Sequence, residues 1–379
     1  MIETITLTLF SLLVIYYIYF ISNIYRGLGK LKKIDDDKII YEFVSVIVPF
    51  RNEKENLLKN LKSLEEQTYP RDKYEIIYVN DSSTDNSVEI IEVNKRNDNI
   101  KIISVPEKFS PNAHKKRAIR YGIENAKGEI IVTTDADCTF NQDWLSTLIK
   151  YVDDKTAFVS GPVEFEVDNR KYFDKLQKLE FAGLVISGAG LIGINRPVIC
   201  NAANIAYRKK VFEQVNGFDD QLKLSSGDDE MLMQKIWKET DYRIKFCPDK
   251  KAIVKTAPNK TLKQFYQQRK RWASKGLFYA DKLLILKLIL IFLFYLSLPM
   301  QLVLVIVLSA KFLILLLVSL SLKAIFEYLV LQKGTNLLFN KKLLSPFIIA
   351  EILHIPYIII SGISGIFGNF TWKERKVSR

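Results

Sequence analysis

Three kinds of apolar pattern follow one another along the chain. Residues 7–25 are almost wholly apolar and aromatic, a run long enough to span a bilayer. Between residues 44 and 280 the apolar positions come in short bursts: VSVIVPF (44–50), YEIIYVN (74–80), IKIISV (100–105), GEIIVTT (128–134) and AFVSG (157–161). Segments with helical spacing separate them, over 53–67, 85–96, 112–126 and 142–152. Near-continuous apolar strands alternating with helices predict an α/β domain whose parallel sheet is covered on both faces. From residue 283 the chain becomes lipid-like, and 283–308, 312–331 and 346–367 are each long enough to cross a bilayer. The expected organisation is an N-terminal transmembrane helix (1–25), a soluble domain ending in an interfacial amphipathic helix (26–280), and a C-terminal transmembrane region with a basic tail (281–379).

Charge adds an orientation. The flank before the first apolar run carries Glu3 and no lysine or arginine, whereas the flank after it carries Arg26, Lys30, Lys32 and Lys33. The positive-inside rule then puts the N-terminus outside and the domain in the cytoplasm. A cleaved signal peptide would have its cations on the other side. Lys333, Lys341 and Lys342 suggest a cytoplasmic loop, and the tail WKERKVSR is also basic. Three full spans starting in the cytoplasm would place that tail outside, so span count and charge rule disagree there. His354, Lys287, Lys311, Lys323, Glu327 and Glu351 fall in or beside apolar segments. Snorkelling to an interface is the expectation for most of them, with Glu351 and His354 a pair worth watching.

The balance of 55 Lys+Arg against 42 Asp+Glu, a net +13, implies an anionic partner: a membrane surface, a phosphorylated substrate or a nucleic acid. Cys138, Cys200 and Cys247 form no C-x-x-C, and with two histidines a zinc site is not expected. They read as free thiols in a reducing compartment.

Candidate chemistry gathers at the strand ends, where open α/β sheets bind ligands. GEIIVTTDADCTF ends on Asp135 and Asp137; in a strand positions i and i+2 point the same way, so the pair presents both carboxylates on one side at the mouth of the sheet. Such a pair repels unless a cation joins it, and hard oxygen ligands suit Mg2+ or Mn2+ shared with phosphates. An ordinary polar turn is the plainer alternative. YVNDSSTDNS places Asp81 at a strand tip, available to a ligand, and Asp85 where it can cap the next helix. NAHKKRAIRYG opens a helix with Lys115 and Lys116, either of which suits a solvated face as well as a site. In SSGDDEMLMQKIW, Asp229 shares a helix face with Leu232, Met233 and Ile236, which turns its carboxylate inward as a candidate general base. QFYQQRKRWASK reads as an amphipathic helix with Leu262, Phe265, Tyr266, Arg269, Trp272 and Ala273 in one stripe. Gln268, Arg271 and Trp272 form one patch, offering a fork for a diphosphate and a flat surface for a sugar. Lys263, Lys270 and Lys275 suit a helix lying on anionic lipid.

In order, VPFRNE, NDSSTD, HKKRAIRYG, TDADC, GDDEML and QRKRW resemble the family-2 glycosyltransferases with the GT-A fold, a Rossmann-like mixed sheet flanked by helices. The resemblance covers about residues 44–272, and the Q-x-x-R-W pattern is similar to that of membrane-embedded members. It implies that Asp81 contacts the nucleotide base and that Lys115 or Lys116 lies near the nucleotide. Asp135 would meet the sugar nucleotide, and Asp137 with Asp135 would hold Mg2+ or Mn2+ at the diphosphate. Asp229 would be the base. Arg271 and Trp272 would hold the diphosphate, with Gln268, Trp272 and Asn204 on the acceptor side. Asn204 matches the asparagine of the family's Gly-Ala-Asn, while Ala202 stands where the glycine is usual.

The implied reaction is inverting transfer from a nucleoside-diphosphate sugar, with uridine favoured by resemblance, to a lipid or lipid-linked hydroxyl. The expected setting is a bacterial-type inner or plasma membrane with the catalytic domain in the cytoplasm. A processive synthase is the alternative, although its F-x-V-T-x-K gating pattern is absent. Two-metal nucleotidyl transfer would use GDD on a hairpin, whereas here it opens a helix. Nothing resembles an RNA-binding module, so no nucleic acid partner is expected. A non-catalytic scaffold is the remote alternative.

Overall fold

The computed structural model describes the chain except for residues 35–40, 110–113, 168–170, 220–226, 340, 368–369, 373–374 and 378–379. The helical segment expected over 112–126 therefore begins outside the described residues. Two compact units emerge, residues 27–258 with 337–339, and residues 1–26, 259–336 and 340–379.

Helix α1 (Ile2–Leu28) opens the chain, followed by β1 (Val44–Phe50), α2 (Leu57–Glu65), β2 (Tyr74–Asn80), α3 (Ser87–Asn94) and β3 (Ile100–Ser104). Then come α4 (His114–Glu124), β4 (Ile130–Thr133), β5 (Thr139–Phe140), α5 (Trp144–Ile149), β6 (Thr156–Ser160) and β7 (Val163–Phe165). After α6 (Tyr172–Gly193) the unit closes with β8 (Ile205–Arg208), α7 (Lys209–Gln214), α8 (Glu230–Glu239), β9 (Arg243–Phe246) and β10 (Val254–Thr256).

A seven-stranded sheet runs in the order β3-β2-β1-β4-β8-β6-β9. The five strands read from the sequence are all present. β2 is buried at all seven positions, which is why it reads as an unbroken apolar run instead of an alternating one. The parallel strands read from the apolar runs and the mixed sheet that the resemblance implied are both present: β1 is parallel to β2 and β4, and β8 is antiparallel to both β4 and β6. IAYR (205–208) is too short to announce itself. A second sheet, β5-β10-β7, uses strands of two or three residues, below any periodicity signal. Topology also fixes where a crevice forms. The chain winds outward from β1 through β2 to β3, then returns to β4 on the other side of β1. The carboxyl ends of β1 and β4 therefore flank the switch point.

The other unit contains α1 with α9 (Leu262–Ala273), α10 (Lys282–Val307), α11 (Lys311–Leu338) and α12 (Phe347–Phe367). Among the described residues four helices are long and apolar enough to cross a membrane, α1, α10, α11 and α12. Polar groups meet inside this bundle. Lys323 is fully buried, with Nζ 2.6 Å from Glu351 and 2.9 Å from Glu327. His354 Nδ1 lies 3.5 Å from Glu327, and Tyr295 donates to Glu327 at 3.2 Å. Tyr17 of α1 donates to Glu327 as well, and its ring stacks on Phe294 at 4.0 Å. Snorkelling is thus corrected for Lys323 and Glu327, because partners one turn away and on α12 satisfy both charges without water. Lys311 does reach outward, 70% exposed beside Glu3.

Breaking one side of such a network leaves a buried charge without compensation. Lys323→Met should cost about 3–5 kcal/mol of unfolding free energy, read in detergent as a lowered Tm. Adding Glu327→Gln and Glu351→Gln to it should recover most of that loss. In the sheet unit, burial pushes the Cys247 thiol up to about 12. Burial, then the charges of Asp137 and Asp135, raise Cys138 well above the usual thiol range. Thiolate is the reactive form, so iodoacetamide at pH 8 should leave both cysteines unmodified until the protein is unfolded, as peptide mapping would show.

Candidate active site

Loops after β1 and β2 interlock at the switch point. Asn52 adopts a left-handed backbone (φ 52°), and its N–H donates to Ser83 Oγ at 3.1 Å. The Thr84 N–H donates to Asn52 Oδ1 at 2.8 Å, and the Glu53 N–H to Ser87 Oγ at 2.8 Å. Asp85 accepts from the Ser87 N–H at 3.1 Å, at the start of α3 as expected. The strand tips are therefore fixed by side chains of the stretch NDSSTDNS.

Asp81 sits at the tip of β2, 4% exposed. Its Oδ1 receives a charge-assisted bond from the Arg117 guanidinium, and Arg51 Nη1 donates to its carbonyl at 3.0 Å. A ligand there meets an Asp81–Arg117 pair, not an isolated carboxylate. Sequence reasoning took the two lysines of HKKR and passed over Arg117. Helical phase does not single it out, since Lys116, Arg117, Ala118 and Ile119 are consecutive buried positions.

Lys115 is the electrostatic centre of the site. Its Nζ lies 2.7 Å from Asp135 Oδ1 and 3.1 Å from Asp228 Oδ2. Burial disfavours the ammonium, but Asp135 and Asp228 outweigh it and hold Lys115 above the usual lysine range. Burial likewise pushes Asp228 up, and the charges of Lys115 and Lys116 overcome it, leaving that carboxyl below the usual range. Lys116 is itself 1% exposed, so the solvated-face reading fails for it.

The two aspartates of TDADC do not continue a strand. β4 stops at Thr133, and the Cys138 N–H donates to the Asp135 carbonyl at 3.2 Å, closing a turn over 135–138. The expected strand alternation is corrected: a turn, not a pleat, sets the two carboxylates. Asp135 turns to Lys115, whereas Asp137 is exposed and accepts from Thr256 Oγ1 of β10 at 3.2 Å. Among the described residues no three His, Cys, Asp or Glu side chains converge to cage a metal. Two carboxylates on one turn, one of them exposed, nevertheless fit an Mg2+ or Mn2+ ion that takes most of its shell from water and phosphate.

Asp229 caps α8 and is 8% exposed. Its Oδ1 accepts from the Glu230 N–H at 2.7 Å and its Oδ2 from the Ala202 N–H at 3.0 Å. Leu232, Met233 and Ile236 of the same helix are fully buried, which fits the inward direction read from the sequence. Asn204 is corrected. It is fully buried, accepts from Trp144 Nε1 at 3.0 Å, and donates to the carbonyls of Pro162 and Ala252 at 2.8 Å each. An amide so committed belongs to the scaffold, not to an acceptor contact.

Within its own unit, α9 packs against α12. Tyr266 bonds Ser364, Phe265 lies 5.6 Å from Tyr357, and a Cβ on Gly365 would come within 2.7 Å of Ala273. The stripe read from the sequence is the packed face from Phe265 onward, while Leu262 is 69% exposed. Gln268 accepts from Asn259 Nδ2 at 2.9 Å and from Arg269. Arg269, 2% exposed, lies over Phe265 and Trp272 at 4.6 and 4.2 Å. Trp272 therefore already carries a cation on its ring, and Arg271 beside it is half-buried.

Residues 45–215 match Glycosyl transferase family 2. Glycosyltransferase AglE of Haloferax volcanii is 31% identical over 192 residues, 49% of this chain and 59% of that protein. Poly-beta-1,6-N-acetyl-D-glucosamine synthase of Staphylococcus aureus is 27% identical over 267 residues, 69% of this chain and 60% of that protein. The chain thus spans about three-fifths of the length of each of these relatives. The mannosyltransferase PcManGT from Pyrobaculum calidifontis, solved with GDP-Man and Mn2+, superposes with a TM-score of 0.60 at 20% identity, covering 96% of this chain and 99% of that one. That likeness concerns the fold, the mixed sheet with its flanking helices. Residues 45–215 thus match the glycosyl transferase family 2 model, and the mixed sheet with its flanking helices is that of the GT-A fold.

Proposed function

We propose that this chain is a membrane-bound, inverting glycosyltransferase that moves a sugar from a nucleoside-diphosphate sugar to the hydroxyl of a lipid or lipid-linked glycan. The observation that carries this reading is the meeting of Asp135, Asp228 and Lys115 at the carboxyl end of β4, with Asp81 and Arg117 at the tip of β2. Those residues come from four separate stretches, and the sheet gathers them where a nucleotide would lie.

In the proposed reaction, Asp81 with Arg117 faces the base, and Lys115 and Lys116 favour the anionic diphosphate. Mg2+ or Mn2+ held by Asp137 and Asp135 would neutralise charge on the diphosphate. Asp229, fixed by two N–H donors, takes the proton of the acceptor hydroxyl. The acceptor oxygen bonds to the anomeric carbon as the bond to the diphosphate oxygen breaks, and the electron pair leaves with the nucleoside diphosphate. One displacement inverts the anomeric centre. Arg271, Trp272 and Gln268 take the diphosphate and acceptor roles on the strength of the Q-x-x-R-W pattern. Resemblance favours uridine, while the similar mannosyltransferase was solved with GDP-Man, so both nucleotides belong in the test.

Four candidate spans support a lipid acceptor, and the basic flank after α1 supports a cytoplasmic domain. Similarity to the poly-beta-1,6-N-acetyl-D-glucosamine synthase favours a second reading, processive polymer synthesis. The paired side chains that fill the membrane unit around Lys323 weigh against a polymer path there.

Full-length protein in liposomes, given Mn2+ or Mg2+ and labelled UDP- and GDP-sugars, should release nucleoside diphosphate and place label in an organic-extractable lipid. Asp229→Asn should lower kcat by about 10²–10⁴-fold while leaving UDP or GDP affinity within about twofold. Label in an insoluble polymer would select the synthase reading. No turnover of any donor would overturn both.

A further inference from the structure

Beneath the turn that carries Asp135 and Asp137 lies a side chain to which no role has been given. Asn60 of α2 is fully buried. Its Nδ2 donates to the Cys138 carbonyl at 2.8 Å and to the Asp135 carbonyl at 3.2 Å, the last and first residues of the turn. Its Oδ1 accepts from the hydroxyl of Tyr78, a fully buried residue of β2, at 2.7 Å. Carbonyls cannot donate, so only this orientation of the amide satisfies all three contacts. The two carbonyls therefore fix which end of Asn60 faces the turn, Tyr78 braces the other end of the amide, and Asn60 fixes the turn.

We infer that Asn60 is the positioning residue of the acidic turn: its amide sets where the Asp135 and Asp137 carboxylates point, and so the affinity of the site for a divalent cation with a nucleoside diphosphate. Three features support a specific function over mere filling. First, the Asp135 carbonyl already receives the Cys138 N–H, so Asn60 is a second donor on the residue that starts the turn. Second, the amide holds the turn at both ends, which restrains its opening as well as its direction. Third, Asp137 is exposed and is tied from the far side by Thr256 of β10. With a donor beneath and a donor beside it, the turn is held before any cation arrives, and the cation need not supply the ordering.

The inference rests on the reading of this site as one for a nucleoside diphosphate and metal. Removing an outer partner of a metal ligand typically weakens metal binding by about 10–100-fold. Asn60→Asp keeps the size and the bond from Tyr78 but replaces both donated hydrogens with an oxygen facing two carbonyls. Asn60→Ala leaves those carbonyls without the amide. Tyr78→Phe removes only the hydroxyl that braces Asn60 from β2. Ser45→Ala is the control: Ser45 Oγ bonds buried Glu75 at 2.7 Å and accepts from the Gly128 N–H at the opposite end of the sheet, so its loss is structural.

Full-length wild type and variants in detergent would be titrated with Mn2+ alone, and with UDP or GDP in the presence and absence of Mn2+, by calorimetry and Mn2+ EPR, with Tm measured in parallel. Asn60→Asp and Asn60→Ala should weaken Mn2+ by about 10–100-fold and weaken UDP or GDP only when Mn2+ is present. Tyr78→Phe should change Mn2+ affinity in the same direction by less, and Ser45→Ala should lower Tm with Mn2+ affinity intact. Folded Asn60 variants that bind Mn2+ like wild type would overturn the inference. So would a loss shared equally by Ser45→Ala, because stability alone would then explain it. Wild type that binds neither nucleotide with Mn2+ would instead sink the functional reading on which the inference stands.

Discussion

The ammonium of Lys115 between Asp135 and Asp228 is the contact on which the arrangement of the site depends. A sheet that collects acids at the ends of its strands must also compensate them, or the carboxylates repel and take up protons. α4 supplies the compensation in one turn: Lys115 for Asp135 and Asp228, Lys116 for Asp228, and Arg117 for Asp81. One short helix thereby links three acidic stretches separated by some 150 residues of sequence.

The membrane unit uses the same device in a different solvent. Lys323 lies between Glu327 and Glu351 as Lys115 lies between Asp135 and Asp228. In lipid the cost of an unpaired charge is higher and water cannot relieve it. The network therefore draws Tyr17 of α1 and Tyr295 of α10 into one polar cluster with α11 and α12. The apolar N-terminal helix becomes part of the bundle through the Tyr17 hydroxyl and ring, Phe10 against Phe312, and the Glu3–Lys311 pair.

Burial decided what was legible in the sequence. β1 and β2 appear with the bounds read from their apolar runs because both of their faces are covered. Asp229 could be read as inward because a helix repeats every 3.6 residues and its apolar neighbours reveal the phase. Elements stabilised only by their neighbours left no trace. β5, β7 and β10 are too short to show a period, and α6, rich in glycine and alanine, carries no clear polar face. The aspartates of TDADC were misread as strand because the apolar run gives no sign that β4 stops at Thr133 and a turn takes over. Lys323 was misread because one of its two carboxylate partners, Glu351, is on another helix.

Asn60 and Asn204 show the limit of sequence reading most clearly. Both are fully buried amides, and nothing in composition or periodicity distinguishes them. Asn204 holds Trp144 and the carbonyls of Pro162 and Ala252, so it ties a strand end into the core. Asn60 holds the two ends of the acidic turn, so the same chemistry reaches the carboxylates proposed to meet a cation. What separates scaffold from site is the identity of partners 42 to 78 residues away. A buried amide must satisfy all of its hydrogen-bonding capacity, and its function follows from which backbone the fold brings within reach.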